Sequence, residues 1–185
     1  MSKQYKWEID KSFSFEMGHR VWAQKLDHLH LSISGDCACK HLHGHSYEIK
    51  VFLGADELDQ SSMVTDFKNI NFMKVFVDDV LDHKFMIDIN DPNFEIITGV
   101  SPRRLAEENI LVNNFENLGE LTRDWRWTEE FQLHLNSFVL VNFVPTSENI
   151  CRHLKEYAQS VIGDVAKVTA LELWETKKSH ARYTA

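Results

Sequence analysis

Hydrophobic and polar residues alternate in two stretches near the start of the chain, a period of two that is typical of strands with one buried face. In residues 5–19 most odd positions are apolar, and His19 continues their phase. Residues 43–53 repeat the pattern, and His43 and His45 stand at the beginning of its apolar face. The alternation therefore predicts two strands, each with histidine at one end of its core-facing side.

Two helices are predicted where apolar residues recur at helical spacing. The first covers "VTDFKNINFMKVFVDDVLDH", with Asp66 as its N-cap. The second begins in "PTSENICRHLKEYAQSVIG", where Thr146 or Ser147 is the expected N-cap. Two further strands are expected after it, in "VAKVTALELWET" and "HARYTA".

The region between these two helices is harder to assign to single strands and helices. "SPRRLAEENILVNNFENLG" has a Ser cap, Pro at the first helical position and a closing Gly, which together predict a helix. "WRWTEEFQLHL" predicts a shorter helix, and "NSFVLVNF" predicts a strand. The complete order is typical of an α+β fold with an antiparallel sheet. We expect a single domain, 1–185, with a helical insertion at about 88–137.

Composition narrows the class of protein. The chain has 185 residues, 43% of them hydrophobic and 26% charged, as in soluble globular proteins. No apolar run reaches the ~18 residues of a membrane span, the N-terminus lacks a secretory signal, and three cysteines do not form a disulfide framework. A cytoplasmic protein without a membrane partner is therefore expected. The net charge of −8 argues against nucleic acid as a partner but allows a small phosphorylated substrate.

Three histidines form a candidate zinc site. Catalytic zinc usually has three protein ligands and one open position. His43 and His45 are two residues apart, so their side chains share one face of a strand. If the two N-terminal strands are antiparallel neighbours, His19 lies beside this pair. His41 is an alternative ligand, because it has the same spacing to His43.

Two cysteines lie just before these histidines, in the loop predicted at 21–42. Cys37 and Cys39 have three interpretations: ligands of a closed structural zinc site, inert small residues, or a reactive thiol beside a metal. Spacing alone does not choose among them.

Six short motifs follow one another along the chain: "FSFEMGHRV", "CKHLHGHSY", "VTDF", "LDH", "PTSEN" and "ET". In sequence and order they resemble the motifs of the 6-pyruvoyltetrahydropterin and 6-carboxytetrahydropterin synthases. The resemblance spans most of the chain except 88–137. It implies a tunnelling fold (T-fold), with a four-stranded antiparallel sheet and two helices on one face. It also implies barrel-forming trimers, two of which stack into a homohexamer.

The resemblance assigns roles to individual residues. It makes His19, His43 and His45 the zinc ligands. The pattern C-x-x-L-H-G-H resembles the carboxy branch and assigns the reactive thiol to Cys39, whereas Cys37 occupies the corresponding position of the pyruvoyl branch.

Four further residues match the family's catalytic and substrate-binding positions. Asp82 would orient His83 in a proton relay that works with the thiol. Glu175 would anchor the pterin ring, and Thr146 would add a hydrogen bond to it.

The implied function is a zinc-dependent 6-carboxytetrahydropterin synthase. It would convert dihydroneopterin triphosphate to 6-carboxytetrahydropterin, acetaldehyde and triphosphate, an early step toward 7-deazapurines such as queuosine. By position, Arg20, Lys25 and Lys40 are candidates to bind the triphosphate. Two alternatives remain open at this point: a 6-pyruvoyltetrahydropterin synthase with Cys37 as base, and a non-catalytic protein that binds zinc or pterin.

Overall fold

The computed structural model describes residues 5–24 and 37–184. Seven strands and six α-helices follow one another along these residues. The strands are β1 (Trp7–His19), β2 (His43–Ala55), β3 (Lys84–Asp88), β4 (Glu116–Asn117), β5 (Phe138–Val141), β6 (Lys167–Thr176) and β7 (Ser179–Tyr183). The helices are α1 (Phe72–Phe76), α2 (Phe94–Thr98), α3 (Pro102–Glu107), α4 (Leu118–Leu121), α5 (Glu129–Leu135) and α6 (Ser147–Ile162).

The strands form one mixed sheet in the order β4-β5-β3-β1-β2-β6-β7. The four strands predicted for the T-fold, β1, β2, β6 and β7, are neighbours in this order, so the fold class is confirmed. The β2/β6 and β6/β7 pairs are antiparallel. The sheet nevertheless differs from the expected four antiparallel strands. Three more strands continue it beyond β1, and both the β1/β3 and the β3/β5 pairs are parallel.

The chain divides into two compact units, and β1 and β2 pass through both. The first unit comprises the described residues of Met1–Glu16, His45–Asp82 and Ser147–Ala185. Its core includes the predicted inner face of β2: Tyr47, Ile49, Val51 and Leu53 are all at most 1% exposed. The alternating pattern of the sequence is therefore confirmed as the buried face of a strand.

The first predicted helix is a composite of three helical types. A 3-10 turn (Phe67–Ile70) leads into α1, and a π-helical turn (Val77–Leu81) follows it. Asp66 caps the N-terminal end, since its side chain accepts a hydrogen bond of 2.8 Å from the Lys68 N–H. The cap predicted from the sequence is therefore confirmed.

Replacing Asp66 by alanine is expected to lower the free energy of unfolding by about 1 kcal/mol, because an N–H group at the helix start loses its acceptor. Asp78→Ala serves as control: it removes a solvent-exposed i,i+4 ion pair with Lys74 and should cost less than about 0.5 kcal/mol. Urea unfolding followed by circular dichroism measures both. Equal losses for the two variants would contradict the cap assignment.

The second unit comprises the described residues of Met17–Gly44 and His83–Thr146. It has a hydrophobic core of its own, contributed by β3, β5 and the short helices. The buried members are Ile87, Phe94, Val100, Leu105, Leu118, Leu135, Phe138 and Leu140. The segment between "LDH" and "PTSEN" thus packs around a core and contains strands as well as helices.

The helix predicted for residues 101–119 is much shorter than expected. Helix α3 ends at Glu107, and Asn109 takes a left-handed conformation with φ of 55°. The Ile110 N–H donates to the Leu105 carbonyl, which is typical of a helix C-terminus closed by a left-handed residue. Gly119, expected to close the helix, lies within α4, where a Cβ would collide with the Asn136 side chain. The prediction was therefore wrong about Gly119, which allows close packing within a helix and does not end one.

Two more elements confirm the sequence pattern in this region. Helix α5 begins after Thr128, whose hydroxyl accepts from the Phe131 N–H, and β5 lies within the predicted "NSFVLVNF". Among the described residues, no helix has the length and apolar character needed to cross a membrane.

Candidate metal centre and active site

His19, His43 and His45 form a group that can hold a metal ion. One ring nitrogen from each lies within 4.8 Å of those of the other two. His19 ends β1, and the other two histidines open β2. The ring centroids of His19 and His43 are 4.4 Å apart. The three histidines predicted from the alternating positions of the two strands are the same three that form the metal-compatible group in the described residues.

Backbone carbonyls set the tautomers of two of these histidines. His19 Nδ1 lies 2.7 Å from the Pro145 carbonyl oxygen, and His43 Nδ1 lies 2.8 Å from the His41 carbonyl oxygen. A carbonyl oxygen only accepts hydrogen bonds, so each Nδ1 carries the proton and each Nε2 keeps its lone pair. Metal-binding histidines commonly show this arrangement, in which the second nitrogen donates to a fixed acceptor. The donor set therefore fits a zinc ion.

The two backbone acceptors were not identified from the sequence. His41, the alternative ligand, contributes its carbonyl oxygen to His43, and Pro145 contributes its carbonyl oxygen to His19. Pro145 belongs to the "PTSEN" motif, from which only Thr146 was predicted to bind the substrate. A contact made by a backbone carbonyl does not depend on the residue type, so the sequence does not reveal it. The residue between the two histidines of β2 is Gly44, and close packing favours glycine at this position. A Cβ there would lie only 3.0 Å from the Met17 carbonyl oxygen.

Glu175, near the end of β6, lies beside the histidine group. Its Oε1 is 3.5 Å from His45 Nε2, and both side chains are about one-quarter exposed. A carboxylate at this distance can hold a ligand next to the metal group while remaining open to solvent. The structure thus brings the predicted pterin anchor and one predicted zinc ligand together.

Cys39 lies in a short 3-10 turn, Ala38–Lys40, and Cys37 directly precedes it. We call residues 37–40 the cysteine turn. Both cysteines are half-buried, and neither forms a disulfide bond within the described residues. The backbone N–H of Cys39 lowers the pKa of the Cys37 thiol, assisted by a hydrogen bond from the Cys39 side chain and by the Lys40 charge. The sequence pattern matches Cys39, whereas the lowered pKa of Cys37 supports that thiol, so both are candidates.

Asp82 and His83 follow the π-helical turn. Asp82 Oδ1 accepts a hydrogen bond of 2.8 Å from the Glu16 N–H, which fixes the carboxylate against the backbone of β1. His83 has φ of 57°, in the left-handed region that residues other than glycine seldom occupy. Such conformations concentrate at functional sites. The proton relay between the two residues remains a prediction.

Thr146 directly precedes α6, and its N–H donates to the Val144 carbonyl oxygen at 2.7 Å. Its contact with pterin stays a prediction. Of the three cations considered for triphosphate, Lys25 lies outside the described residues and Lys40 is exposed. Arg20 binds protein groups instead: its Nε donates to the Lys40 carbonyl oxygen at 2.7 Å, and its Nη1 pairs with Asp91 Oδ1 at 3.0 Å.

The sheet order and the histidine group together define a protein of the T-fold class with a metal-compatible site. The chain belongs to the 6-pyruvoyl tetrahydropterin synthase family, whose sequence model matches residues 8–185. The family predicted from six motifs is therefore confirmed.

Three similar proteins refine this placement. A protein of Aquifex aeolicus named 6-carboxy-5,6,7,8-tetrahydropterin synthase is 32% identical over 189 residues, which cover 96% of this chain and 98% of that one. A solved structure of an uncharacterized protein from Wolinella succinogenes is 39% identical, with a TM-score of 0.82 and coverage of 96% and 97%. The 6-pyruvoyl tetrahydropterin synthase of Caenorhabditis elegans is 22% identical, with a TM-score of 0.54 and coverage of 96% and 94%, and shares the fold. The resemblance to the carboxy branch is supported by the first of these.

Proposed function

We propose that this chain is a zinc-dependent 6-carboxytetrahydropterin synthase. It would convert dihydroneopterin triphosphate and one water molecule to 6-carboxytetrahydropterin, acetaldehyde and triphosphate. The observation that carries the proposal is the group of three histidines, two with tautomers fixed by carbonyls, in a chain that matches a curated 6-carboxytetrahydropterin synthase over nearly its whole length.

Zinc bound to three imidazole nitrogens would polarise hydroxyl groups of the substrate side chain and lower their pKa. The protein positions the substrate through Glu175, whose two carboxylate oxygens accept adjacent N–H groups of the pterin ring. Because Glu175 Oε1 lies 3.5 Å from His45 Nε2, a ring held there has its side chain close to the histidine group. Thr146 adds a hydrogen bond to the ring.

Proton transfer is assigned to three residues. Cys39 Sγ, as thiolate, removes a proton from the substrate side chain. The His83 ring, oriented by Asp82, delivers a proton and takes one up as the carbon–carbon bond is broken. The backbone bond from Glu16 to Asp82 supports this assignment, because it fixes the carboxylate that would orient His83.

The wider setting follows from the same proposal. A carboxytetrahydropterin product would feed the synthesis of 7-deazapurines such as queuosine. We also propose that the protein works in the cytoplasm as a homohexamer of two stacked trimers, as the family resemblance implies.

Product analysis tests the proposed reaction. Zinc-loaded protein mixed with dihydroneopterin triphosphate is expected to release acetaldehyde and triphosphate in equal amounts, measured by a coupled alcohol dehydrogenase assay and by phosphorus NMR. Triphosphate without acetaldehyde, together with a pyruvoyl pterin, would contradict the proposal. Zinc and pterin binding without turnover of any neopterin substrate would instead show a binding protein.

A second candidate is 6-pyruvoyltetrahydropterin synthase, with Cys37 as the base. The lowered pKa of the Cys37 thiol favours it, because a lowered pKa increases the fraction of that thiol present as the thiolate. The same product analysis separates the two reactions, since only the carboxy branch releases a two-carbon aldehyde.

A further inference from the structure

The segment between residues 84 and 144 is connected to the cysteine turn through Arg20. This residue directly follows His19 at the end of β1. Its Nε donates to the Lys40 carbonyl oxygen at 2.7 Å, and its Nη1 donates to Asp91 Oδ1 at 3.0 Å. One planar guanidinium thus joins the last residue of the cysteine turn to a carboxylate that follows β3. Arginine suits this bridging task because its donors lie in a rigid fork.

A second set of hydrogen bonds runs beside this bridge. The Val21 N–H donates to the Cys39 carbonyl oxygen at 2.8 Å, and Trp22 Nε1 donates to Asp88 Oδ2 at 2.8 Å. Residues 20–22 therefore hold the cysteine turn on one side and the 88–91 loop on the other. Every contact in this chain of bonds lies within the second compact unit.

The 88–91 loop is itself firmly held, so it can serve as an anchor. Asp88 Oδ1 accepts from the backbone and side chain of Asn90, and Asp91 Oδ1 also accepts from the Asn93 N–H at 2.8 Å. The Ile89 N–H donates to the Val141 carbonyl oxygen of β5. The loop is thereby tied to the parallel strands of the sheet, which are rigid elements.

Asp91 depends on Arg20 for charge compensation. The Asp91 side chain is 1% exposed, and that of Arg20 is 14% exposed. Within residues 5–24 and 37–184, Asp91 Oδ2 is buried and has no hydrogen-bond partner. The contacts of Oδ1 therefore carry the stabilisation of this carboxylate, and a buried charge without its partner is strongly unfavourable. Asp91 and Arg20 consequently fix each other's position.

We propose that Asp91 is a positioning residue for the cysteine turn and acts through Arg20 on the placement of the Cys39 thiol. The segment between residues 84 and 144 then has a defined role in this chain: it supplies the anchor that orients the turn. The catalytic part of this inference rests on the proposed function of Cys39. The placement of the turn does not depend on it.

The test compares Asp91→Asn with the natural chain in the zinc-loaded protein. Asparagine keeps the size of the side chain but removes its charge, so Arg20 loses its ionic partner and the turn is held less firmly. The kcat is expected to fall about tenfold to a hundredfold while KM changes less than about twofold, because a misplaced base affects the reacting geometry rather than binding. Asp91→Glu restores the charge and should recover part of the lost kcat.

A readout without substrate separates this inference from the proposed function. The rate of alkylation of Cys39 by iodoacetamide, located by tandem mass spectrometry, is expected to change by at least about threefold in Asp91→Asn. Buried Cys151 serves as the internal reference for intact folding. If the natural chain turns over no neopterin substrate, the proposed function fails, yet a changed alkylation rate still supports the positioning role.

Matched variants keep the inference falsifiable. Glu107→Gln breaks an exposed ion pair with Arg103 in the same segment and should leave both readouts unchanged. Trp22→Phe removes only the N–H donor to Asp88 and provides a milder disturbance should Asp91→Asn fail to fold. In an Arg20→Met background, which removes both the charge and the donors of the bridge, the further loss caused by Asp91→Asn should disappear. A lower melting temperature with unchanged alkylation and kcat would overturn the proposal and leave a structural ion pair.

Discussion

Replacing His43 by alanine is expected to remove zinc from the protein and abolish its catalytic activity. His43 opens β2, and its ring centroid lies 4.4 Å from that of His19. Its Nδ1 faces the His41 carbonyl oxygen at 2.8 Å, which leaves Nε2 available to bind a metal ion. With two imidazoles left, a tetrahedral site that keeps one position for substrate lacks a ligand it needs. Elemental analysis should find a fall from about one zinc ion per chain to almost none.

His41→Ala is the matched control for this prediction. His41 is two residues away and exposed, and it contributes only its backbone oxygen to the group. This substitution keeps that carbonyl, so zinc content and kcat should stay close to those of the natural chain. Loss of zinc in His41→Ala with retention in His43→Ala would mean that the ligand set has been assigned to the wrong pair of histidines.

Replacing Cys39 by alanine should lower kcat by about a hundredfold to ten-thousandfold, the usual contribution of a positioned acid or base. The zinc content should not change, because the metal-compatible group in the described residues contains only histidines. The half-buried position of Cys39 makes a large loss of stability unexpected. Steady-state turnover of dihydroneopterin triphosphate and elemental analysis of the same sample together measure the two effects.

Cys37→Ala is the informative partner, since Cys37 lies two positions earlier and has the lowered pKa. If Cys39 is the base, Cys37→Ala should lower kcat by less than about tenfold. Loss of activity in Cys37→Ala alone would contradict the assignment to Cys39 and favour the pyruvoyl reaction. Because both thiols lie around one short turn, the comparison changes little else in the protein.

The parts of the fold that the sequence predicted correctly have strong periodicity. The inner face of β2 and the amphipathic helix α6 each bury one regular stripe of apolar residues, which can be seen without knowledge of the neighbours. Strand β3 was missed because its five residues, Lys84–Asp88, alternate poorly. Parallel strands are covered on both faces, so their residues read as a short apolar run rather than as an alternation.

The residues of the candidate site that act through their side chains could be predicted from the sequence. The spacing of His43 and His45 and the phase of His19 indicated the trio before any resemblance was considered. The supporting contacts were not predictable, because they come from carbonyl oxygens and from a carboxylate distant in sequence. Asp91 reads as an ordinary turn residue in "DINDPN", and only the fold places it against Arg20.

The contact between His19 and Pro145 has a consequence for how the protein matures. It joins residues 126 positions apart, whereas His43 and His45 are neighbours on one strand. A long loop must close before this contact forms, and contacts between distant residues are made slowly during folding. A nascent chain that has emerged only as far as β2 therefore contains all three histidines but lacks the acceptor that sets the ring of His19. We expect that the proposed zinc ion binds to the histidine group only after the whole chain has been synthesised. Metal binding would then be a late step of maturation and not a nucleus for folding.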